Sequence, residues 1–149
     1  MRLWRISNYA DLSGRGGLNS PGRWHAHRSE IVYLAESPAG ALLERMVHLE
    51  LDAAELPSHY QMIAVDIPDD VAFDAVSEDS LPANWRGNER ITQVIGDRWL
   101  GEKRTALLRV PSAIVPETAN WLLNPGHAGA AMARIGRVIR APFDARLFR

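Results

Sequence analysis

Hydrophobic positions along the chain change period several times, and each change marks an element. Ala39, Leu42, Leu43, Met46 and Val47 recur at helical spacing, which predicts a helix with one buried stripe. Ser37 can accept from its first free N–H groups, and Pro38 takes the first helical position, where its missing N–H costs nothing. Glu44 lies off that stripe, on the flank of Gly40 and His48. Upstream stand a polar loop with Arg23 and Trp24 and a short apolar run, Ile31-Val32-Tyr33-Leu34-Ala35. Around this stretch, 21–50, the rest of the chain is organised.

Elsewhere the period shortens toward two. Leu3-Trp4-Arg5-Ile6 is a short run in which Leu3 and Arg5 share a face if it is a strand. Residues 60–68 alternate, with Ile63, Val65 and Ile67 on one side and Met62, Ala64 and Asp66 on the other, until Pro68 ends the strand. A second helix is predicted over 89–100 from the spacing of Ile91, Val94, Ile95 and Trp99, with Gly101 as its stop. Strands are predicted over 106–110, broken at Pro111, and over 119–123, closed by the turn Asn124-Pro125-Gly126-His127. The small residues of 128–135 suggest a helix and 138–143 a last strand, while 69–88 reads as an acidic, irregular excursion. Residues 11–21 are turn-rich, a flexible connector or a loop whose bare backbone approaches phosphate. That loop does not follow a strand and open a helix, so a dinucleotide fingerprint is rejected.

The sum is an α+β fold: a single domain over 1–149, with mixed β-sheets of short strands flanked by helices. A chain of 149 residues that is 46% hydrophobic can bury one sizeable core, and neither a repeat nor a linker divides it. Its net charge of −1 gives no global pull toward nucleic acid or anionic membrane. With no cysteine, disulfides and thiolate metal sites are excluded, which fits a reducing cytosol. No apolar run is long enough to span a bilayer, and the expectation is a cytoplasmic chain.

The candidate chemistry gathers in the central stretch. Arg23, Tyr33 and Glu44 come from three consecutive elements, enough for a small polar pocket over an apolar floor. Gly40, one turn before Glu44, clears space beside a carboxylate that would otherwise read as a solvated surface glutamate. Arg5 could point into the same cavity or into solvent. Ser112 sits where Pro111 breaks a strand, either serving a site or bonding local backbone. Asn124 and His127 either hold their turn or line a site. His25 and His27 share one side of an extended segment, but no third ligand stands at a recognisable spacing, so no metal is expected.

Gly22-Arg23-Trp24, the run from Ile31 through Ser37, Ala41-Leu42-Leu43-Glu44, Val110-Pro111-Ser112 and Asn124-Pro125-x-His127 together resemble the RES domain family. The resemblance runs from Trp4-Arg5 to Phe143-Asp144-Ala145-Arg146-Leu147. It implies that the family's arginine, glutamate and serine fall on Arg23, Glu44 and Ser112, on a fold like that of ADP-ribosyltransferases. The family commonly has Gly-Gly-Arg-Trp-Asn, and here Pro21 and His25 replace the first glycine and the asparagine.

Such a resemblance implies a toxin of a bacterial toxin–antitoxin pair that acts on NAD as substrate. It would degrade NAD as a glycohydrolase or phosphorylase, or transfer its ADP-ribose to a protein acceptor. Breaking the nicotinamide–ribose bond builds positive charge on the ribose, which Glu44 would stabilise. Arg23 would hold phosphate, with Arg5 as a second contact, while Tyr33 packs on nicotinamide and Ser112 orients the amide or Glu44. Trp24, Asn124 and His127 complete the expected NAD-binding set, and no metal is required. The implied partner is an Xre-type helix-turn-helix antitoxin, without direct nucleic-acid binding by this chain, and a homodimer is compatible with it. Two other readings stand beside this one: an RNA-cleaving toxin, and a catalytically silent module that only binds an antitoxin.

Overall fold

The computed structural model describes residues 1–49 and 57–148; residue 50, the last of the central stretch, lies outside them. Strands β1 (Arg2–Ile6) and β2 (Val32–Ala35) precede helix α1 (Pro38–Val47), and β3 (His59–Asp66) and β4 (Phe73–Ala75) follow it. Helix α2 (Glu89–Glu102) then leads into β5 (Leu107–Pro111), β6 (Ala119–Leu123) and β7 (Arg134–Pro142). The strands form one seven-stranded sheet in the order β4-β5-β6-β2-β1-β3-β7. Only the β4–β5 pair is parallel, so the sheet is mixed and the fold is α+β.

Register decides which side chains share a face. Tyr33 pairs with Leu122, and Ala35 pairs with both Asn120 and Trp4; Leu108 and Val110 lie beside Leu122 and Asn120 in turn. On this face α2 packs Ile91, Ile95, Trp99 and Leu100 against Leu108, Val110 and Leu122, with Trp24 and Trp85 joining them. Ala41 of α1 meets Ala35 and Met62 further along the same face. Both helices therefore cover one side of the sheet. Leu3, Val32, Leu34, Ile63, Val65, Leu107, Trp121 and Leu123 form the core on the other side, closed by Val71, Leu12, Ala130 and Ala133 from connecting segments. No helix among the described residues is long and apolar enough to cross a membrane.

Ser37 caps α1 as expected, accepting from the Gly40 N–H at 3.0 Å with Pro38 in the first turn. The buried stripe is rotated from the expected one. Ala41 is buried and Leu42, Leu43 and Met46 are half-buried, while Ala39 and Val47 face solvent, Val47 at 56% exposure. The small Ala41–Ala35 contact lets α1 lie close to the sheet, which turns Glu44, three residues on, inward as well. Gly40 does not clear space for that carboxylate: a Cβ there would meet Ser37 Oγ at 3.1 Å and Ala35 Cβ at 3.6 Å.

Other boundaries moved for identifiable reasons. Gly101 lies inside α2, and Lys103 ends the helix in the left-handed region at φ 51° with its N–H on the Trp99 carbonyl. Residues 69–88 hold β4, paired with β5, and a Trp85 only 2% exposed beside Trp24. Pro111 stays in β5, opposite Ala119 at the strand's end. The predicted helix of 128–135 shrinks to a 3-10 segment, Ala128–Met132, because β7 starts at Arg134 and follows the long β3. The glycine-rich loop is packed at Gly14, which at φ 69° sits so close to Ile31 that a Cβ would lie 2.6 Å from its backbone nitrogen, and open at Gly16, where a Cβ would meet nothing within 4 Å.

Leu122 has no exposed surface at the centre of the helix-covered face. Leu122→Ala should cost about 2–5 kcal/mol, read as a lower denaturant midpoint at unchanged slope. A cost near zero would mean that this face is not tightly packed.

Candidate active site

Loop, strand and two helices converge over the β2–β6 pair. The loop from Gly22 to Ala26 lies along α2, which grips it by side chains on one helix face. Thr92 Oγ1 donates to the Arg23 carbonyl, Gln93 Nε2 donates to the Gly22 carbonyl at 3.0 Å, and the Asp97 carboxylate accepts from the Ala26 N–H at 3.2 Å. Gly96 lies between them. A Cβ there would fall 1.7 Å from the Trp24 carbonyl oxygen, so glycine alone permits this approach. Trp24 buries its indole in the core beneath the loop.

Arg23 is thereby fixed at the backbone while its guanidinium stays loosely engaged. Its side chain is 22% exposed; Nη1 lies 3.5 Å from the Trp85 carbonyl and Nη2 lies 3.8 Å from Glu89. Among the described residues this planar fork of five donors makes only these long contacts, and it retains capacity for an anion.

Tyr33 projects from β2 toward the same loop. The Trp24 N–H donates to its hydroxyl at 3.1 Å, and His25 Nδ1 lies 2.7 Å from it. His25 Nε2 faces the Gly17 and Ser20 carbonyls at 3.2 and 3.1 Å, so in the neutral ring that nitrogen carries the hydrogen and Nδ1 accepts from Tyr33. His25 is thus a buried support for Tyr33. His27 is 83% exposed beside Asp97, so the two histidines do not converge. Gly22 makes room for the phenol, since a Cβ there would lie 2.5 Å from the Tyr33 hydroxyl. Burial raises the Tyr33 phenol well above its ordinary value, against a smaller lowering by the Trp24 N–H.

Glu44 enters from α1. Its Oε1 accepts from Asn120 Nδ2 at 2.7 Å and from Ser112 Oγ at 3.2 Å. Ser112, 2% exposed, also accepts from the Ile114 and Val115 N–H groups, so it both holds its turn and fixes the carboxylate. Among the described residues no protein donor meets Oε2. Asn120 stands beside Ala35, two residues from Tyr33 on the same face of β2, a spacing of about 7 Å. The sheet thus aligns carboxylate, phenol and arginine loop along one face between the two helices.

Three expected contacts lie elsewhere. Arg5 is on the other face with Leu3, half-buried and donating to the Asp11 carbonyl at 3.2 Å. Asn124, four residues beyond Asn120 and so about 13 Å along the strand, donates to the Leu100 carbonyl and accepts from the Gly126 N–H. His127 Nδ1 accepts from the Gly129 N–H and caps the 3-10 segment. Both hold the turn after β6. Asn124 also borders a separate open cleft of about 290 Å³, where Arg28 and Lys103 are balanced by Glu30 and Asp97.

Asn120, Thr92, Gln93, Gly96 and Asp97 stand outside the motifs legible in the sequence. Asn120 alternates in phase with Leu122, and a polar residue on an inward position was its available signal. Gly96 within a helix was another.

The RES domain model matches residues 2–144, and the chain belongs to the RES domain family. Over 151 residues it is 45% identical to Toxin Res of Pseudomonas putida, covering 99% of this chain and 100% of that protein. It is 37% identical over 157 residues to the Prs ADP-ribosylating toxin of a Sphingobium species, covering 99% and 96%. Toxin Res of Photorhabdus laumondii is 37% identical over 131 residues, covering 84% and 82%.

Two outcomes follow from this geometry. Gly96→Ala should destabilise the chain by about 1–3 kcal/mol through the forced separation of α2 and the loop. Gly87→Ala, where a Cβ meets nothing within 4 Å, is the control, and equal melting temperatures for the two would refute the close contact. In addition, the folded chain keeps the Tyr33 proton at pH values where the unfolded chain has lost it. Stability should therefore decline as pH rises above about 10, and Tyr33→Phe should flatten that decline. Denaturation curves between about pH 8 and 11 measure it, and an unchanged slope in the variant would contradict the buried phenol.

Proposed function

We propose that this chain is a toxin that consumes NAD by cleaving the bond between nicotinamide and ribose. The observation carrying the proposal is the Glu44 carboxylate, held through one oxygen by Ser112 and Asn120 with its other oxygen unengaged among the described residues, on the same sheet face as Tyr33. Similarity to named toxins supports the biological class, and the relative named as ADP-ribosylating supports the chemistry.

As nicotinamide leaves with the bonding electron pair, positive charge develops on the ribose ring. The unengaged Glu44 oxygen stabilises that charge without having to reorganise, because Ser112 and Asn120 already hold the group. Arg23 offers its fork to the pyrophosphate. The Tyr33 ring packs against nicotinamide while its hydroxyl, committed to Trp24 and His25, takes no part in proton transfer. Water or phosphate then adds at the ribose carbon, or a side chain of an acceptor protein does so, and the proton that water or the side chain releases passes to solvent. The substrate supplies its own activated leaving group, so this scheme routes no step through a metal.

In this reading the chain acts in the cytoplasm as one RES domain and is restrained by an Xre-type antitoxin. An acidic or carboxylate-ended antitoxin segment set against Arg23 would exclude NAD. A complex that leaves Arg23 and Glu44 open to solvent would contradict this mode of restraint.

NAD should fall in cells expressing the chain, and Glu44→Ala and Arg23→Ala should each reduce the rate at least about a hundredfold. Asn120→Ala should lower it less, since Ser112 still holds the carboxylate. Modified protein without bulk NAD loss would assign the transfer branch. If folded parent chain leaves both NAD and protein unchanged, the enzyme reading fails.

A further inference from the structure

The two edges of the sheet are built differently. At one end β4 has three residues, and its Asp74 is paired with Arg104 at 3.0 Å. At the other end β7 has nine residues, Arg-Ile-Gly-Arg-Val-Ile-Arg-Ala-Pro, without an acidic side chain. Its inner edge is paired with β3 along the whole length, and among the described residues no strand pairs with its outer edge. A long open edge carries a row of unpaired backbone donors and acceptors, and proteins usually shorten, cover or charge such an edge.

Here the charge is of one sign. Arg134, Arg137 and Arg140 are exposed, and no ion pair among the described residues includes any of them. The one carboxylate across from them, Asp66 opposite Arg134, is occupied by Arg2 at 2.7 Å. Val138 adds an apolar position that is 45% exposed.

We propose that the outer edge of β7 receives an acidic, extended segment of a partner protein as an additional strand. The row of arginines admits that occupant and disfavours others. A second copy paired antiparallel about Arg137 would set that arginine against its own counterpart. Nucleic acid lying on one face of the sheet would meet only part of the row, because the arginines are divided between faces. The register shift after Ala64 puts Arg134 and Arg137 on the face of Asp66 and Ala64, and Arg140 on the face shared by Val138 and Ile63. A strand added at the edge places side chains on both faces and so reaches all of them. Main-chain bonds would supply affinity, and glutamates or aspartates about three residues apart would supply selectivity.

The test uses the full chain and a fluorescent ten-residue peptide of repeated Glu-Val-Thr. Comparison peptides replace each Glu by Lys, or each Val by Pro, which keeps the charge but removes ladder donors. The expected result is binding of the Glu-Val-Thr peptide alone, with slowed hydrogen exchange at β7 amides. Arg137→Glu combined with Arg140→Glu should weaken it at least tenfold, leave the denaturation midpoint unchanged and create binding of the lysine peptide. The proposal is overturned by failure of the acidic peptide to bind, by equal binding of the lysine or proline peptide, or by protection elsewhere than β7. Tighter binding of a single-stranded oligonucleotide than of the acidic peptide would overturn it as well. None of these readouts depends on NAD consumption, so the two proposals stand or fall separately.

Discussion

The packing of α2 against the loop from Gly22 to Ala26 is the constraint on which the site depends. An α-helix can approach another backbone this closely only where a side chain is missing, and Gly96 supplies that gap under the Trp24 carbonyl. Thr92, Gln93 and Asp97 then convert a close contact into a fixed one by bonding the loop's backbone groups. Two of those groups, the Gly22 and Arg23 carbonyls, are partly buried, and a fully buried group left without a partner costs about 1–3 kcal/mol. The same seating aims Arg23, sinks Trp24 into the core and brings the Trp24 N–H and His25 onto the Tyr33 hydroxyl.

From the opposite side, α1 contributes one acid held by neutral donors. Glu44 is bonded by an amide and a hydroxyl rather than by a cation. Neutral partners fix its orientation without an ion pair, as the role proposed for it requires. The nearby arginine is kept on the other helix's loop, where its long contacts to Trp85 and Glu89 hold it in place without saturating it. Separation of these two charges along the sheet face is what prevents them from simply neutralising each other. The buried His25 ring reaches both Tyr33 and the preceding loop.

Much of the local structure could be read from the residues. Ser37-Pro38 marks the start of α1, the apolar runs mark β2, β3, β5 and β6, and the family motifs single out Arg23, Glu44 and Ser112. The errors fall where tertiary pairing overrides local preference. Small residues near Ala130 suggested helix, but pairing with β3 drew the chain into β7. Gly101 looked like a stop, yet nothing crowds it and α2 continued to Lys103's left-handed position.

An α+β chain with a capped helix behind Tyr33, and an arginine, a glutamate and a serine in family-like order, are legible in the residues alone. Periodicity and capping act over a few residues, so they are written locally. Long-range pairing is what puts both helices on the same sheet face, sets Arg5 on the other face from Tyr33, and lets Asn120 hold Glu44 across 76 positions of sequence. Those outcomes depend on strand order and register, and a single-residue change in register exchanges the two faces of a strand.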